Sequence, residues 1–542
     1  MNSKGLLPIG IFEPTDSSPL FFGKDLITHI SSIRQSVHVI KKGINGPIGT
    51  ALSGNIYPPQ GNIKDSTYLL MGTLPPLYPE WLGDRSFLQS HKVRFPYIAG
   101  AMYHNITTTK IVIAMAKSGM MGFYGSAGLS PTAIEKAINE IQGAIGSSNL
   151  SWGSNLIHTP AEPGMEEEVV DLYLKKGVRR ISASAFMSLT PSIVRYSANG
   201  LQMDTSGNIH RKNYVFAKIS RPEIASLFMS PAPKKILDLL VSQNKISKSE
   251  SELAAKIPIA EDITVEADSG GHTDNRPLIS LLPTILMLRD ELAAQYGYTK
   301  PLRVGAAGGI STPSSVAAAF ALGAAYVLTG TINQSTIEAG VSAKAKEMLA
   351  LANIANIAMA PAGDMFELGV KVQVLKRGTL FSSRASQLYQ IYSNYDSIES
   401  IPPAIKSKLE KNLFRAPLQD IWEDTRNYFL KRSPKEVTKA EKNPKHLMAL
   451  VFRWYLGNAG NWAIDGEPSR IMDYQIQCGP SMGAFNAWTA GSFLAKPENR
   501  KVVTIALNLL EGAAVVTRAQ QFRSYGVAVP ELAFNFRPKI IY

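Results

Sequence analysis

Between Phe95 and Thr331 a short apolar segment and a helix-forming segment alternate again and again, and no other feature limits the fold as tightly. Segments 96–102, 122–125, 151–157, 180–184, 214–219, 263–266, 302–305 and 325–328 read as eight buried strands. Helical patterns follow them, as over 108–118, 131–145, 165–176 and 221–228. That count predicts an α/β fold, a closed (β/α)8 TIM barrel, rather than an open sheet. A doubly wound sheet would show its phosphate-binding glycines after the first strand, whereas here they follow late strands. Residues 1–90, rich in Pro and Gly, predict an irregular β-containing region, and 91–340 the barrel. Residues 341–500 predict a large helical insertion, and 501–542 a barrel-closing helix with a tail.

The chain has 542 residues, 45% of them hydrophobic, and one cysteine, Cys478, so no internal disulfide can form. The first residues lack the apolar core of a secretory leader, and no run of ~18 apolar residues stands out as a membrane span. The expectation is a cytoplasmic enzyme with no membrane partner. The formal net charge is +13. No zinc-knuckle spacing, RNA-binding motif or long Lys/Arg block supports a nucleic-acid partner. A solvated basic surface or an acidic carrier-protein partner accounts for the charge.

In a β/α barrel the residues ending the strands converge on one face. Those residues are Gly100, Ala101 and Met102, then Gly122, Asn155 and Lys218, then Asp268 to His272, Gly308 with Gly309, and Gly330 with Thr331. The last two groups follow the seventh and eighth strands, where barrels hold phosphate on backbone N–H groups. Small residues and a methionine after the first strand offer a flat surface for an aromatic ring. Asn155 can donate and accept toward a pyrimidine-like edge, and Lys218 suits an electron-rich ring edge or a phosphate. A phosphorylated flat heterocycle such as FMN fits this inventory. His272 supplies a group able to move a proton near neutral pH. His104 and His158 also follow strand ends, in reach of the same face. Each residue taken alone has a structural reading, as a turn glycine, a paired lysine or a hydrogen-bonded histidine.

The residues Ala99-Gly-Ala-Met102, Gly153-Ser-Asn-Leu156, Ser269-Gly-Gly-His272, Ala307-Gly-Gly-Ile310 and Gly330-Thr331 resemble the FMN-dependent family of nitronate monooxygenases and FabK-type enoyl reductases. A narrower resemblance covers nearly the whole chain. Val265-Glu-Ala-Asp-Ser-Gly-Gly-His-Thr-Asp-Asn-Arg-Pro277, Ala360-Pro-Ala-Gly-Asp-Met-Phe-Glu367, Gln373-Val-Leu-Lys-Arg-Gly378, Leu450-Val-Phe-Arg-Trp-Tyr-Leu456 and Cys478-Gly-Pro-Ser-Met-Gly-Ala-Phe-Asn486 resemble the PfaD family. Ser481 stands where that family is expected to carry alanine. The resemblance implies a trans-acting enoyl reductase of polyunsaturated fatty acid or polyketide synthases. It would use FMN, with NADPH or NADH as reductant, on enoyl thioesters held by acyl carrier protein domains. It implies a homodimer, His272 as proton donor or as the group that orients the thioester carbonyl, and FMN bound by Gly100, Ala101, Met102, Asn155, Lys218, Ser269, Gly270, Gly271, Ala307, Gly308, Gly309, Gly330 and Thr331. Nitronate oxidation and a non-catalytic carrier-binding scaffold are the alternatives. Cys478, far along the insertion, reads as buried rather than catalytic, and Met365 and Phe366 as either core or roof of the flavin.

Overall fold

The computed structural model describes residues 8–16, 18–59, 64–146, 148–159, 163–271 and 273–541. His272 therefore lies outside the described residues.

The chain opens with an antiparallel sheet of five strands: β1 (Gly10–Pro14), β2 (Val37–Lys42), β3 (Ile48–Ala51), β4 (Gly54–Tyr57) and β5 (Tyr68–Leu74). The connection from β2 to β3 needs glycine twice: Gly43 has φ +60°, and a Cβ on Gly46 would collide with the Lys42 carbonyl oxygen.

Eight parallel strands then close a barrel: β6 (Tyr97–Ala99), β7 (Met121–Tyr124), β8 (Gly153–Ile157), β9 (Arg180–Ser184), β12 (Tyr214–Ile219), β13 (Asp262–Glu266), β14 (Arg303–Ala307) and β15 (Val327–Thr329). A small ribbon, β10 (Gln202–Met203) and β11 (Ile209–His210), sits between the fourth and fifth barrel strands. Pairing of Val327 with Tyr97 and Leu328 with Ile98 shuts the barrel. The strands carry apolar residues on both faces, as parallel strands covered by helices must. Ile263 and Val265, Val304 and Ala306, and Tyr97 and Ile98 are fully buried.

Helix starts follow their local chemistry. Thr108, Ser130, Thr190 and Thr312 each accept from a backbone N–H of the first turn, and Pro131, Pro191 and Pro313 occupy the first helical position. The helix Arg85–His91 plugs the N-terminal end of the barrel, where Phe87 stacks on Tyr326 at 4.6 Å. The helix Val502–Ser524 packs against both Pro313–Ala321 and Thr109–Lys117, the place of the eighth barrel helix. Against the expectation of none, this helix is the one described segment long and apolar enough to cross a membrane. In this fold 78% of its most apolar window is buried.

Everything between β15 and that helix is an insertion: Phe366, Val372, Phe381, Phe452 and Tyr455 form a separate apolar centre, while Met348, Met482 and Phe485 pack into the main core. The sequence predicts a helical insertion, and two strands that it does not predict interrupt the helices. After the helix Ala343–Ala350 comes an antiparallel ribbon of β16 (Ile357–Pro361) and β17 (Lys371–Leu375). Lys371-Val-Gln-Val-Leu375 has the period of two that a strand shows, but it is too short to stand out beside long helices. Val374 also bridges to Gln477, and this edge rests on the barrel mouth.

Candidate active site

A cavity of about 410 Å³ opens at the C-terminal ends of the barrel strands, within the range usual for small-molecule sites. The barrel strands run parallel, so the residues and turns that end them converge on this one face. Gly100, Ala101 and Met102 line it from β6, Asn155 from β8, Lys218 from β12, and Ser269, Gly270 and Gly271 from the turn after β13. Ala307, Gly308 and Gly309 line it after β14, and Gly330 and Thr331 after β15. All the residues implied as flavin-binding thus share one concave surface. Gly122 does not belong to it. A Cβ there would lie 3.0 Å from Val112 Cα, so its small size serves packing of strand on helix.

Gly271 and Thr273, the chain neighbours of His272, both line the cavity. His104 and His158 do not. His104 packs against Gly128 and Tyr103, and His158 Nδ1 lies 2.9 Å from Glu166 Oε2.

The cavity's cations are already paired. Lys218 Nζ donates to Glu266 Oε1 at 2.9 Å, and Arg221 Nε and Nη2 donate to Asp274 at 2.8 and 2.9 Å. An anionic ligand would therefore lean on backbone N–H groups more than on a free lysine. Open space supports this: a Cβ at Gly309 or Gly330 would meet nothing within 4 Å. Asn155 Oδ1 accepts from Ser184 Oγ at 2.9 Å. The Ser269 hydroxyl is buried and has no partner among the described residues. An unmet buried polar atom costs stability unless a ligand or water completes it. Burial pushes the Asp268 carboxyl above the usual carboxylate range, although a hydrogen bond from Gln373 opposes the shift.

Sequence reasoning missed part of the wall. Phe186 and Met187 reach it from the loop after β9, and Val370, Gln477 and Ser481 from the insertion. The motif around Cys478 held the signal for the last two, but nothing in it showed which way the segment faces. Met365 also lines the cavity, while Phe366 is fully buried in the insertion core, so the pair divides between roof and core. Cys478 is buried, and burial pushes its thiol up to about 12. It is nevertheless close to the site, since a Cβ on Gly270 would lie 2.9 Å from Cys478 N.

A family model described as the inserted helical domain of [acyl-carrier-protein] S-malonyltransferase matches residues 395–474. Polyketide biosynthesis protein PksE of Bacillus subtilis (strain 168) is 45% identical over 446 residues, which is 82% of this chain and 58% of that protein. One component of the polyunsaturated fatty acid synthase of Thraustochytrium sp. (strain ATCC 26185 / S-3) is 41% identical over 494 residues, 89% of this chain and 33% of that component. The chain thus spans between a third and three-fifths of these two relatives. The crystal structure of the enoyl reductase domain of MlnA, from the macrolactin cluster of Bacillus amyloliquefaciens, matches with a TM-score of 0.78 and 38% identity. That match covers 82% of this chain and 99% of the solved domain. Agreement over a whole domain, barrel and insertion together, shows that the chain belongs to the PfaD-type enoyl reductase family of polyketide and polyunsaturated fatty acid synthases.

Proposed function

We propose that this chain reduces trans-2-enoyl thioesters presented by acyl carrier protein domains, acting in trans on a synthase. FMN would be its resident cofactor and NADPH, or NADH, its reductant. The observation that carries this reading is the single cavity in which a glycine cradle, a polar barrel floor and an apolar roof meet. The residues fit the cofactor. Gly309 and Gly330 leave room at main-chain N–H groups for a phosphate, and Ser269 offers an unmet hydroxyl. Gly100 and Ala101 give a flat floor, and Asn155 a polar edge. Held there, FMN would supply the chemistry that moves a hydride from a reduced nicotinamide to the β-carbon of the enoyl thioester.

The protein's own tasks follow from that exchange. Net reduction consumes NAD(P)H and one proton, and the proton must reach the α-carbon. His272, whose chain neighbours Gly271 and Thr273 line the cavity, is assigned to deliver it. The Lys218–Glu266 pair carries no net charge, so it can orient a polar ring edge without demanding an anion. Met365, Val370, Phe186 and Met187 form the apolar side that excludes water and receives the acyl chain. A cytoplasmic homodimer belongs to the same proposal and rests on family resemblance alone.

The test is anaerobic. NADPH should bleach the flavin of the purified protein, and a crotonyl-carrier thioester should restore its colour. In His272→Ala the second step should slow by about a hundredfold, while flavin content and the first step stay normal. Failure of any enoyl thioester to reoxidise the wild-type protein, with rapid turnover of propyl nitronates in air, would replace this reading with nitronate oxidation. A colourless protein that still binds carrier domains would leave only a scaffold.

A further inference from the structure

The turn that follows β13 is fastened at three points. At its base the Asp268 N–H donates to the Arg276 carbonyl at 3.0 Å, closing the loop. On the side of β12, Asp274 accepts from Ser220 Oγ and from the Arg221 guanidinium, each within 2.9 Å. The third fastening comes from the insertion. Gln373, in β17, donates through Nε2 to Asp268 Oδ1 and, at 3.3 Å, to Asn275 Oδ1.

The surroundings hold Gln373 in place. It is 7% exposed, and its main-chain carbonyl accepts from Cys478 N at 3.2 Å. Cys478 N in turn presses on Gly270. Two acceptors from the loop therefore face one neutral amide donor. A leucine would leave the Asp268 carboxyl without its side-chain donor and Asn275 Oδ1 with Thr273 Oγ1 alone, at 3.1 Å, and a glutamate would set a second carboxyl against Asp268.

We propose that Gln373 is a positioning residue: by donating to Asp268 and Asn275 it fixes the loop that carries His272 in sequence, so the insertion sets the geometry of proton delivery. The proposal rests on the enoyl reductase reading. Among the described residues, Gln373 is the one side chain that hydrogen-bonds to the Asp268 carboxyl. The other charged groups nearby are occupied. Arg221 engages Asp274, Lys218 engages Glu266, and burial holds the Cys478 thiol neutral. Arg276 acts on Asp274 electrostatically and meets Asp268 through its backbone.

The test uses the full-length flavoprotein with a crotonyl-carrier thioester. In Gln373→Glu, kcat at neutral pH should fall by about tenfold to a hundredfold, the scale expected when a reacting group is misplaced. KM, flavin content and flavin reduction by NADPH should stay unchanged. Activity should return as the pH is lowered, because two facing carboxyls share a proton, and the wild type should lack this acid recovery. The swapped pair Gln373→Glu/Asp268→Asn exchanges donor and acceptor, and should restore kcat at neutral pH. Hydrogen–deuterium exchange of segment 267–277 should quicken in Gln373→Glu and slow again in the swapped pair. A Gln373→Glu protein with the wild-type kcat and pH profile, or a swapped pair without recovery, overturns the proposal. If the wild type itself reduces no enoyl thioester, the functional reading fails instead, and the exchange of that segment alone decides whether Gln373 holds the loop.

Discussion

Gly308 and Gly330 are both glycines of the cavity, yet the chain needs them for different reasons. Gly308 has φ +84°, and a Cβ there would lie 2.7 Å from the Ala267 carbonyl carbon, so the turn itself requires glycine. Gly330 has φ −124°, and a Cβ would meet only open space. Gly330→Ala should therefore keep the wild-type melting temperature while losing flavin affinity by about tenfold, which is ~1.4 kcal/mol. Titration of the flavin-free protein with FMN measures this, and unchanged affinity would remove Gly330 from the phosphate cradle. Glycines of this kind were legible in the sequence, because each punctuates the end of an apolar run. Met365 stayed open between core and roof, and Gln477 and Ser481 were not assigned to the cavity. Side chains that arrive from a distant insertion leave no local pattern pointing at the site they complete.

At the scale of elements, strand identity was readable wherever β-branched or small apolar residues filled a run before a turn, as in Ile263-Thr-Val265. What each strand start does was not readable. Asp262, Arg303 and Arg180 begin β13, β14 and β9, and they meet His91 at the bottom of the barrel. Arg303 Nε donates to Asp262 Oδ1 at 2.7 Å, and the His91 Nε2–H donates to Asp262 Oδ2 at 3.0 Å. Arg180 Nε can only donate, so at 3.2 Å it requires a lone pair on His91 Nδ1 and keeps the ring neutral. Burial, the largest influence, lowers the His91 pKa from its ordinary value, although Asp262 opposes it. Burial also works against the Asp262 charge, but Arg303 and His91 outweigh it and hold the carboxyl below the usual range. The signs agree. The unfolded chain takes up a proton at His91 below pH ~6.5 and one at Asp262 below ~4, while the folded chain resists both. Stability is thus complete above about pH 6.5 and declines on acidification. Melting temperature should fall between pH 6.5 and 5, and His91→Gln, which can still donate to Asp262 and accept from Arg180, should flatten part of that slope. An identical slope in His91→Gln would show that other groups set the acid response.

For the whole molecule, the net charge of +13 has a place to act. On the helix Pro434–Lys442, Lys435, Lys439 and Lys442 recur at four- and three-residue spacing and are exposed, while Val437 and Ala440 are buried on the other side. None of the three lysines is ion-paired among the described residues, whereas Lys445 engages Asp396 and Arg426 engages Glu441. Lys439 lines a second cavity of about 360 Å³, and Met365 lines both this cavity and the one at the barrel mouth. The basic face therefore adjoins the segment that roofs the proposed reaction site. An acidic carrier docked there would present its thioester arm beside that roof. Complementary charge of this sort acts on encounter and orientation, and salt screens it. The triple substitution Lys435→Glu, Lys439→Glu and Lys442→Glu should raise KM for a carrier-borne enoyl thioester by about tenfold or more. It should leave KM for the matching pantetheine thioester unchanged, since a small neutral substrate does not engage the face. Added salt should raise the wild-type KM for the carrier substrate and have little effect on the triple variant. Equal KM values for the carrier substrate in the two proteins at low salt would move the docking surface elsewhere on the molecule.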